Sequence, residues 1–285
     1  MSGALVSFMV MAVGARELSA ELGTFQILFF RSVIGLLVLA LLLSRSGWHH
    51  LSTASFGLHW VRNITHFAGQ FGWFYAIAFI PLAAVFAIEI TTPLWTTVFA
   101  VVLLGEKITR ARFAAICLGF AGVLLILRPG AAVIHPAAVA VLLGAVAFGL
   151  SITLTKRLAA RDAPMAILFY MALIQLPLAL VPATFNWANP ALPLWPWLIA
   201  VGLTSLTAHY CMVRALAVAD ATVVIPMDFI RLPLISLLGF LLYNERIEWF
   251  LFIGAALILA GNLVNVQAER HRARSGNSPG IRRRP

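Results

Sequence analysis

The sequence predicts an all-α integral membrane protein with ten transmembrane helices, arranged as two inverted five-helix repeats around a central cavity. Of its 285 residues, 62% are hydrophobic and only 11% are charged, a balance that soluble globular proteins do not show. The apolar segments have the length of helices rather than the roughly ten-residue alternating pattern of a membrane β-barrel. The third observation is a constant offset between the two halves of the chain.

This offset is 139 residues long and indicates an internal duplication. Three pairs of identical or chemically similar residues are separated by this distance: Glu89/Asp228, Glu106/Glu245 and Gly122/Gly261. Because each half is predicted to hold an odd number of spans, the halves are inverted relative to one another, as in many secondary transporters. The predicted units are residues 1–130 and 131–267, followed by a basic tail at 268–285 that we expect to be disordered.

The spans were placed from the apolar stretches and the polar connections between them. They cover residues 3–15, 24–43, 56–79, 82–105, 113–127, 136–154, 164–182, 198–219, 223–245 and 249–266. The first is short for a full crossing, so we expect either a tilted helix or a start codon further upstream. Arg16 and Glu17 are expected in the loop that follows it, and Pro93 predicts a kink in the fourth span.

The distribution of basic residues predicts that both termini are cytoplasmic. With the N-terminus inside, 13 of the 20 Lys and Arg residues lie in inner segments, 3 lie in outer segments and 4 lie within spans. Cytoplasmic segments of membrane proteins carry such an excess of Lys and Arg. The net charge of +10 therefore reflects membrane topology, and we expect no nucleic-acid partner.

Charged residues inside the spans are the first candidates for function. They are Arg31, Arg62, Arg214 and Arg231 against Glu89 and Asp228. A charge at this depth costs roughly 2.5–3.5 kcal/mol, so these side chains should face a bundle interior or a wet cavity. The excess of cations predicts a positive cavity that favours a carboxylate or another anionic group. Asp228 and Arg231 are three residues apart and therefore share a helix face. They form either a structural ion pair or a site for substrate or protons. Arg214 is a further candidate partner of Asp228.

A polar stripe on the third span is the second candidate. Its members recur at three- and four-residue steps, which places them on one helix face: His59, Arg62, Asn63, His66 and Gln70. Such a stripe either bonds neighbouring helices together or lines a hydrated pathway, and five polar residues favour the pathway. In the second half, His209 occupies the position equivalent to Gln70.

The motifs of several enzyme and motor classes are missing from the sequence. It contains no phosphate-binding glycine loop followed by Lys and Ser/Thr, no HExxH and no GxSxG. Cys117 and Cys211 fall in apolar runs and are interpreted as packing residues. We therefore expect no enzyme, no cofactor and no metal. An intramembrane enzyme and a structural membrane protein are the rival classes.

Several segments resemble EamA-type members of the drug/metabolite transporter superfamily. They are FFRS at 29–32, IPLAAVFAIEITTPLW at 80–95, LLGEKITRARFAAICLGFAGVLLILRPG at 103–130, PMDFIRLPLISLLGFLLYNE at 226–245 and GAALILAGNLV at 254–264. The resemblance implies a ten-helix carrier of the bacterial inner membrane, with a central cavity and both termini in the cytoplasm. Related members move amino acids, riboflavin, S-adenosylmethionine or metal-chelating metabolites. Two departures are the short first span and Asn244, which stands where the family usually has glycine.

The sequence therefore predicts a secondary transporter of small polar metabolites, namely amino-acid-like, carboxylate-bearing or zwitterionic compounds, working by alternating access. Export is favoured, and import of a vitamin or nucleoside-like metabolite such as riboflavin or S-adenosylmethionine is the alternative. The predicted substrate-binding residues are Arg62, His66, Gln70, Glu89, His209, Arg214, Asp228 and Arg231. Protons are a candidate coupling ion, because a carboxylate removed from water binds a proton more readily. Glu89 and Asp228 are favoured for that role, with His66 or His209 as alternatives.

Overall fold

The computed structural model describes residues 2–105, 109–127, 135–218 and 228–274. In this part of the chain the regular structure is entirely helical, with no strand. The α-helices are α1 (Ser2–Leu18), α2 (Thr24–Ser46), α3 (Phe56–Phe79), α4 (Leu82–Glu89), α5 (Thr92–Leu104), α6 (Arg110–Leu127), α7 (Pro136–Leu158), α8 (Pro164–Ala183), α9 (Trp195–Val218), α10 (Arg231–Tyr243) and α11 (Trp249–Arg274). The predicted all-α class is confirmed for these residues.

Several of these helices are long and apolar enough to cross a membrane. By length and composition, the described residues contain 6 candidate spans: Thr24–Arg45, Leu82–Leu103, Arg110–Leu127, Pro136–Leu158, Pro164–Asn186 and Trp249–Ala268. The helix α10 is apolar but shorter. The number of ten spans remains a prediction.

Two predicted spans are interrupted, one of them beside Pro93, where the sequence predicts a kink. The stretch 82–105 divides into α4 and α5 at Ile90 and Thr91, and in the stretch 223–245 a turn at Ile230 precedes α10. A proline follows each break, Pro93 in the first case and Pro233 in the second. Proline is tolerated in the first turn of a helix, where its missing N–H has no intrahelical partner. Each proline therefore suits the start of a new helix better than the middle of a continuous one.

Two helix ends differ from the sequence prediction. The helix α1 continues to Leu18, so Arg16 and Glu17 lie in its last turn rather than in a loop. The helix α11 continues to Arg274, so the first part of the tail predicted to be disordered, 268–285, is helical. Ala, Glu and Arg are good helix formers, which explains the extension beyond the apolar segment. Residues 275–285 lie outside the described part of the chain.

Helix packing repeats between the two halves of the chain. The helix α1 packs along α9 in the same way that α3 packs along α7, while α2 packs on α8 and α6 on α11. The offset of 139 residues carries the bounds of α3 onto those of α9, and the bounds of α5 onto those of α10. The residues that end α5 and α10, Gly105 and Asn244, are both left-handed, with φ of 67° and 53°. Asn is among the few non-glycine residues that adopt this conformation readily, so the departure at Asn244 preserves the helix end.

The pair α6 and α11 approaches closely at small residues. A Cβ atom at Gly122 would lie 2.5 Å from the carbonyl oxygen of Gly254, and one at Gly261 would lie 2.9 Å from that of Ala115. The same offset relates Ala115 to Gly254 and Gly122 to Gly261, so the two contacts are equivalent. Small residues at such crossings let helix backbones pack together within a membrane.

We predict that Gly122→Ala lowers the thermal stability of the purified protein, because the new methyl group meets backbone on the facing helix. Overpacking of this kind costs about 1–3 kcal/mol. The matched control is Gly57→Ala, since nothing lies within 4 Å of a Cβ atom at Gly57. Thermal unfolding in detergent compares the two variants, and equal melting temperatures for Gly122→Ala and the wild type would contradict the close packing.

Candidate functional site

One guanidinium binds two carboxylates where α4 and α10 meet. The Nη2 atom of Arg231 lies 2.5 Å from Oδ2 of Asp228, and its Nη1 atom lies 3.5 Å from Oε1 of Glu89. Glu89 is the last residue of α4 and Arg231 the first of α10, so all three groups sit at helix breaks. We call them the Arg231 cluster. The predicted pairing of Asp228 with Arg231 is confirmed, and the two acids related by the offset meet at one cation.

Aromatic side chains surround the Arg231 cluster. The indole Nε1 of Trp73 donates a hydrogen bond of 2.8 Å to Oε2 of Glu89. The guanidinium carbon of Arg231 lies 4.4 Å from the ring centre of Phe8 and 5.8 Å from that of Phe86. Ring faces attract a cation, and low polarity around the ion pairs strengthens their mutual attraction. The cluster is therefore a charged site inside an otherwise apolar part of the protein.

The polar stripe of α3 faces inward, as predicted. All five members are buried: His59, Arg62, Asn63, His66 and Gln70. Arg62 donates to Oγ1 of Thr155 on α7 at 2.9 Å and to Oδ1 of Asn63 at 2.7 Å. On α8, Nε2 of Gln175 lies 3.0 Å from Nδ1 of His66. Part of the stripe thus bonds neighbouring helices together, which is the first of the two roles considered from the sequence.

Two histidines, one from each half, bring α3 and α9 together. The ring centres of His66 and His209 are 5.9 Å apart, and Nδ1 of His209 donates to the carbonyl oxygen of Ser205 at 2.7 Å. Phe8, which covers Arg231, also lies 6.4 Å from the ring of His209. The histidines therefore lie between the α3 stripe and the Arg231 cluster.

The structure brings most of the predicted binding residues into one region. Arg62 and His66 lie one turn apart on α3, His66 contacts His209, and Phe8 contacts both His209 and Arg231 of the cluster. Gln70 is buried on the same face of α3, and its Oε1 atom has no hydrogen-bond partner among the described residues. Arg214 lies in α9, but its side chain is outside the described part of the structure. Its pairing with Asp228 therefore stays a prediction.

Sequence reasoning missed two residues of this region. Arg31 is a charge within a span that is not among the predicted binding residues; it is buried on α2, which packs against α8 and α9. Gln175, which contacts His66, was not singled out at all. A lone glutamine in the apolar seventh span was the available signal, since polar side chains within spans face the bundle interior.

A first polar network ties together three segments at one end of α3. Nη2 of Arg16 donates to the carbonyl oxygen of Ile80 at 2.6 Å and lies 2.9 Å from Oε1 of Glu245. The other oxygen of Glu245 accepts from the backbone N–H of Leu82 at 2.8 Å. We call this the Glu245 network. Glu245 joins α1, the α3–α4 turn and the end of α10. Its offset partner, Glu106, lies outside the described residues.

A second polar network lies at the other end of α3. Oδ2 of Asp162, between α7 and α8, lies 2.7 Å from Nε2 of His59 and accepts from Oγ1 of Thr53 at 2.6 Å. Nearby, the hydroxyl of Tyr170 donates to the carbonyl oxygen of Leu51 at 2.9 Å. We call the first three residues the Asp162 network. It joins the start of α3 to the α7–α8 connection, so each end of α3 is held to the other half of the chain.

We predict that Arg231→Met destabilises the protein, because it leaves two partly buried carboxylates without their cation. Removing one partner of a buried ion pair costs about 3–5 kcal/mol. The triple variant with Glu89→Gln and Asp228→Asn should recover most of the loss, since it removes the uncompensated charges. Thermal unfolding in detergent measures both variants. A melting temperature for Arg231→Met equal to that of the wild type would contradict the cluster.

Comparison with known proteins gives the family. The model of the EamA-like transporter family matches residues 1–128 and 135–267. The chain is 25% identical over 266 residues to an S-adenosylmethionine uptake transporter of Rickettsia bellii, covering 93% of this chain and 91% of the relative. It is 33% identical over 227 residues to a riboflavin transporter of Vibrio cholerae, covering 79% and 76%. A pseudopaline exporter of Pseudomonas aeruginosa is 31% identical over 259 residues, covering 89% of each chain.

A solved crystal structure shares the fold. It aligns with a TM-score of 0.63 over 95% of this chain and 98% of its own length, at 21% sequence identity. The family match spans nearly the whole chain, and the resemblance inferred from the sequence is confirmed. The chain belongs to the EamA-like transporter family of the drug/metabolite transporter superfamily.

Proposed function

We propose that the protein is a secondary transporter that moves a small polar metabolite across a bacterial inner membrane by alternating access. The observation that carries this proposal is the Arg231 cluster, in which charged residues from two helix breaks meet inside the protein. Broken helices are typical of the substrate and ion sites of secondary transporters. A protein with a purely structural role gains little from buried charges, because well-packed apolar residues are often as stable or more so.

A two-repeat architecture of ten spans fits this mechanism. The equivalent helix bounds, the repeated helix pairing and the separate family matches to each half support a first repeat at 1–130 and a second at 131–267. The excess of Lys and Arg in alternate connections supports cytoplasmic placement of both termini. Five spans in each repeat make the repeats inverted, so that the same packing serves an inward-open and an outward-open state.

The two networks at the ends of α3 are suited to act as gates. In the Glu245 network, Arg16 and Leu82 of the first repeat hold Glu245 of the second. In the Asp162 network, His59 of the first repeat holds Asp162 of the second. With the N-terminus inside, the Glu245 network lies at the outer end and the Asp162 network at the cytoplasmic end. Breaking one network while the other stays formed would expose the interior to one side of the membrane.

The substrate we propose is a carboxylate-bearing or zwitterionic metabolite. Arg62 lies with His66 and His209 on one side of the site, and the arginine charges act on both imidazoles. A positive interior favours an anionic group. Export is the direction that we propose. Uptake is the second candidate, since the relative that covers 93% of this chain is named as an S-adenosylmethionine uptake transporter.

Counterflow in proteoliposomes tests the function. Purified protein is reconstituted, the vesicles are loaded with a metabolite pool that includes amino acids, S-adenosylmethionine and riboflavin, and exchange is followed by mass spectrometry. A transporter gives exchange of unmodified compounds that empty liposomes do not show. Chemically altered products would indicate an enzyme, and folded protein that exchanges nothing would contradict the transporter proposal.

We predict that Asp228→Asn and Glu89→Gln lose accumulation driven by a pH gradient, and that Glu89→Gln continues exchange without a gradient. An amide cannot take up and release the proton that a carboxylate carries through the transport cycle, whereas exchange needs no net proton movement. Accumulation with and without an imposed gradient measures the difference. The matched control is Glu21→Gln, an exposed acid between α1 and α2, which should behave as the wild type. Full pH dependence in Asp228→Asn would remove Asp228 from the coupling role.

A further inference from the structure

Arg31 is a buried cation without a counterion among the described residues. It lies in α2 with only 5% of its surface exposed, and its Nε atom has no hydrogen-bond partner in the described part of the chain. The other buried arginines differ from it. Arg62 donates to Thr155 and Asn63, and Arg231 binds two carboxylates. Arg31 therefore contributes little to the helix contacts that the other arginines provide.

Keeping such a residue costs stability. Arginine stays protonated in proteins, so burial cannot be relieved by losing the charge. The charge of Arg62 acts on Arg31 and adds repulsion to the loss of hydration. Buried charges without a protein counterion occur mainly at functional sites, where a bound ligand can provide the opposite charge. Arg31 is thus a candidate for direct contact with an anionic ligand.

The net charge of the buried arginines and carboxylates favours a ligand that places one negative group near Arg31. With both acids ionised, the buried region holds three arginines (Arg31, Arg62 and Arg231) and two carboxylates (Glu89 and Asp228), which leaves one positive charge among the described residues. A carboxylate balances that charge and matches the planar guanidinium in a bidentate geometry. Asp228 keeps a buried Oδ1 atom without a hydrogen-bond partner among the described residues.

We propose that Arg31 binds the carboxylate of the transported metabolite, and that Oδ1 of Asp228 accepts a hydrogen bond from its amino group. Arg31 lies on α2, which packs on the same helix α9 that carries His209, and Phe8 contacts both His209 and Arg231. This inference rests on the proposed transport function and narrows the substrate to amino-acid-like compounds with a free carboxylate. It makes Arg31 a specificity-determining residue in addition to the eight predicted from the sequence.

The test combines transport with stability for Arg31→Met and Arg31→Lys. The exchange pool contains L-amino acids and their matched carboxamides, which differ in the carboxylate. The wild type should exchange the acids and discriminate against the amides. Arg31→Met should lose exchange of the acids about tenfold or more, the loss expected for one charge-assisted hydrogen-bonded contact. Arg31→Lys should retain an intermediate rate, because lysine keeps the charge but loses the bidentate fork.

Two controls separate binding from folding. Arg45→Met changes an exposed arginine at the end of the same helix and should exchange at the wild-type rate. In thermal unfolding without added metabolites, Arg31→Met should melt at or above the wild-type temperature, since it removes an uncompensated charge. Arg231→Met, which removes a paired charge, should melt lower.

Each alternative result has a distinct meaning. Exchange of acids by Arg31→Met at the wild-type rate would overturn the inference while leaving the transport function intact. Equal exchange of acids and amides by the wild type would do the same. Destabilisation of Arg31→Met as large as that of Arg231→Met would make Arg31 structural. An absence of any exchange by folded wild-type protein would overturn the transport function, and this inference with it.

Discussion

The binding of Arg231 to Glu89 and Asp228 is the interaction on which the site depends. It joins the end of α4 to the start of α10, and the two acids that it pairs with, Glu89 and Asp228, are related by the offset of 139 residues. Helix ends leave backbone groups without intrahelical partners, which is costly in a membrane unless they lie inside the protein. The break at Ile90 and Thr91 is accordingly buried inside the protein, and Glu89 and Arg231 meet beside it.

The remaining architecture follows from the need to keep polar groups away from lipid. The α3 stripe is buried against α7 and α8, where Thr155 and Gln175 contact it. Close approach of α6 and α11 at Gly122 and Gly261 provides packing that needs no polar group. The Glu245 and Asp162 networks then place polar links between the two halves of the chain at both ends of α3. Close helix packing thus holds α6 and α11 together, and the Glu245 and Asp162 networks provide the polar contacts that a carrier has to break and re-form.

Periodic and local features of this protein could be predicted from its sequence, whereas contacts between distant segments could not. The spacing of His59, Arg62 and His66 predicts one helix face, and burial of that face is confirmed. The three-residue spacing of Asp228 and Arg231 predicts their ion pair in the same way.

Other features depend on tertiary structure. Nothing local indicates that Glu89 shares Arg231, that Gln175 reaches His66, or that Glu245 binds the N–H of Leu82. The break at Ile230 was missed because the apolar composition continues through it, whereas the break at Ile90 lies beside Pro93, where the sequence predicts a kink.

The most direct test of alternating access is a pair of distance measurements by pulsed electron paramagnetic resonance. One pair of spin labels replaces Glu21 and Arg246, exposed residues beside the Glu245 network, and the other replaces Ser52 and Arg161, exposed residues beside the Asp162 network. In reconstituted protein, the account predicts that addition of a transported metabolite shifts the two distance distributions in opposite directions. Distributions that stay single and unchanged at both ends, in protein that exchanges the metabolite, would contradict it.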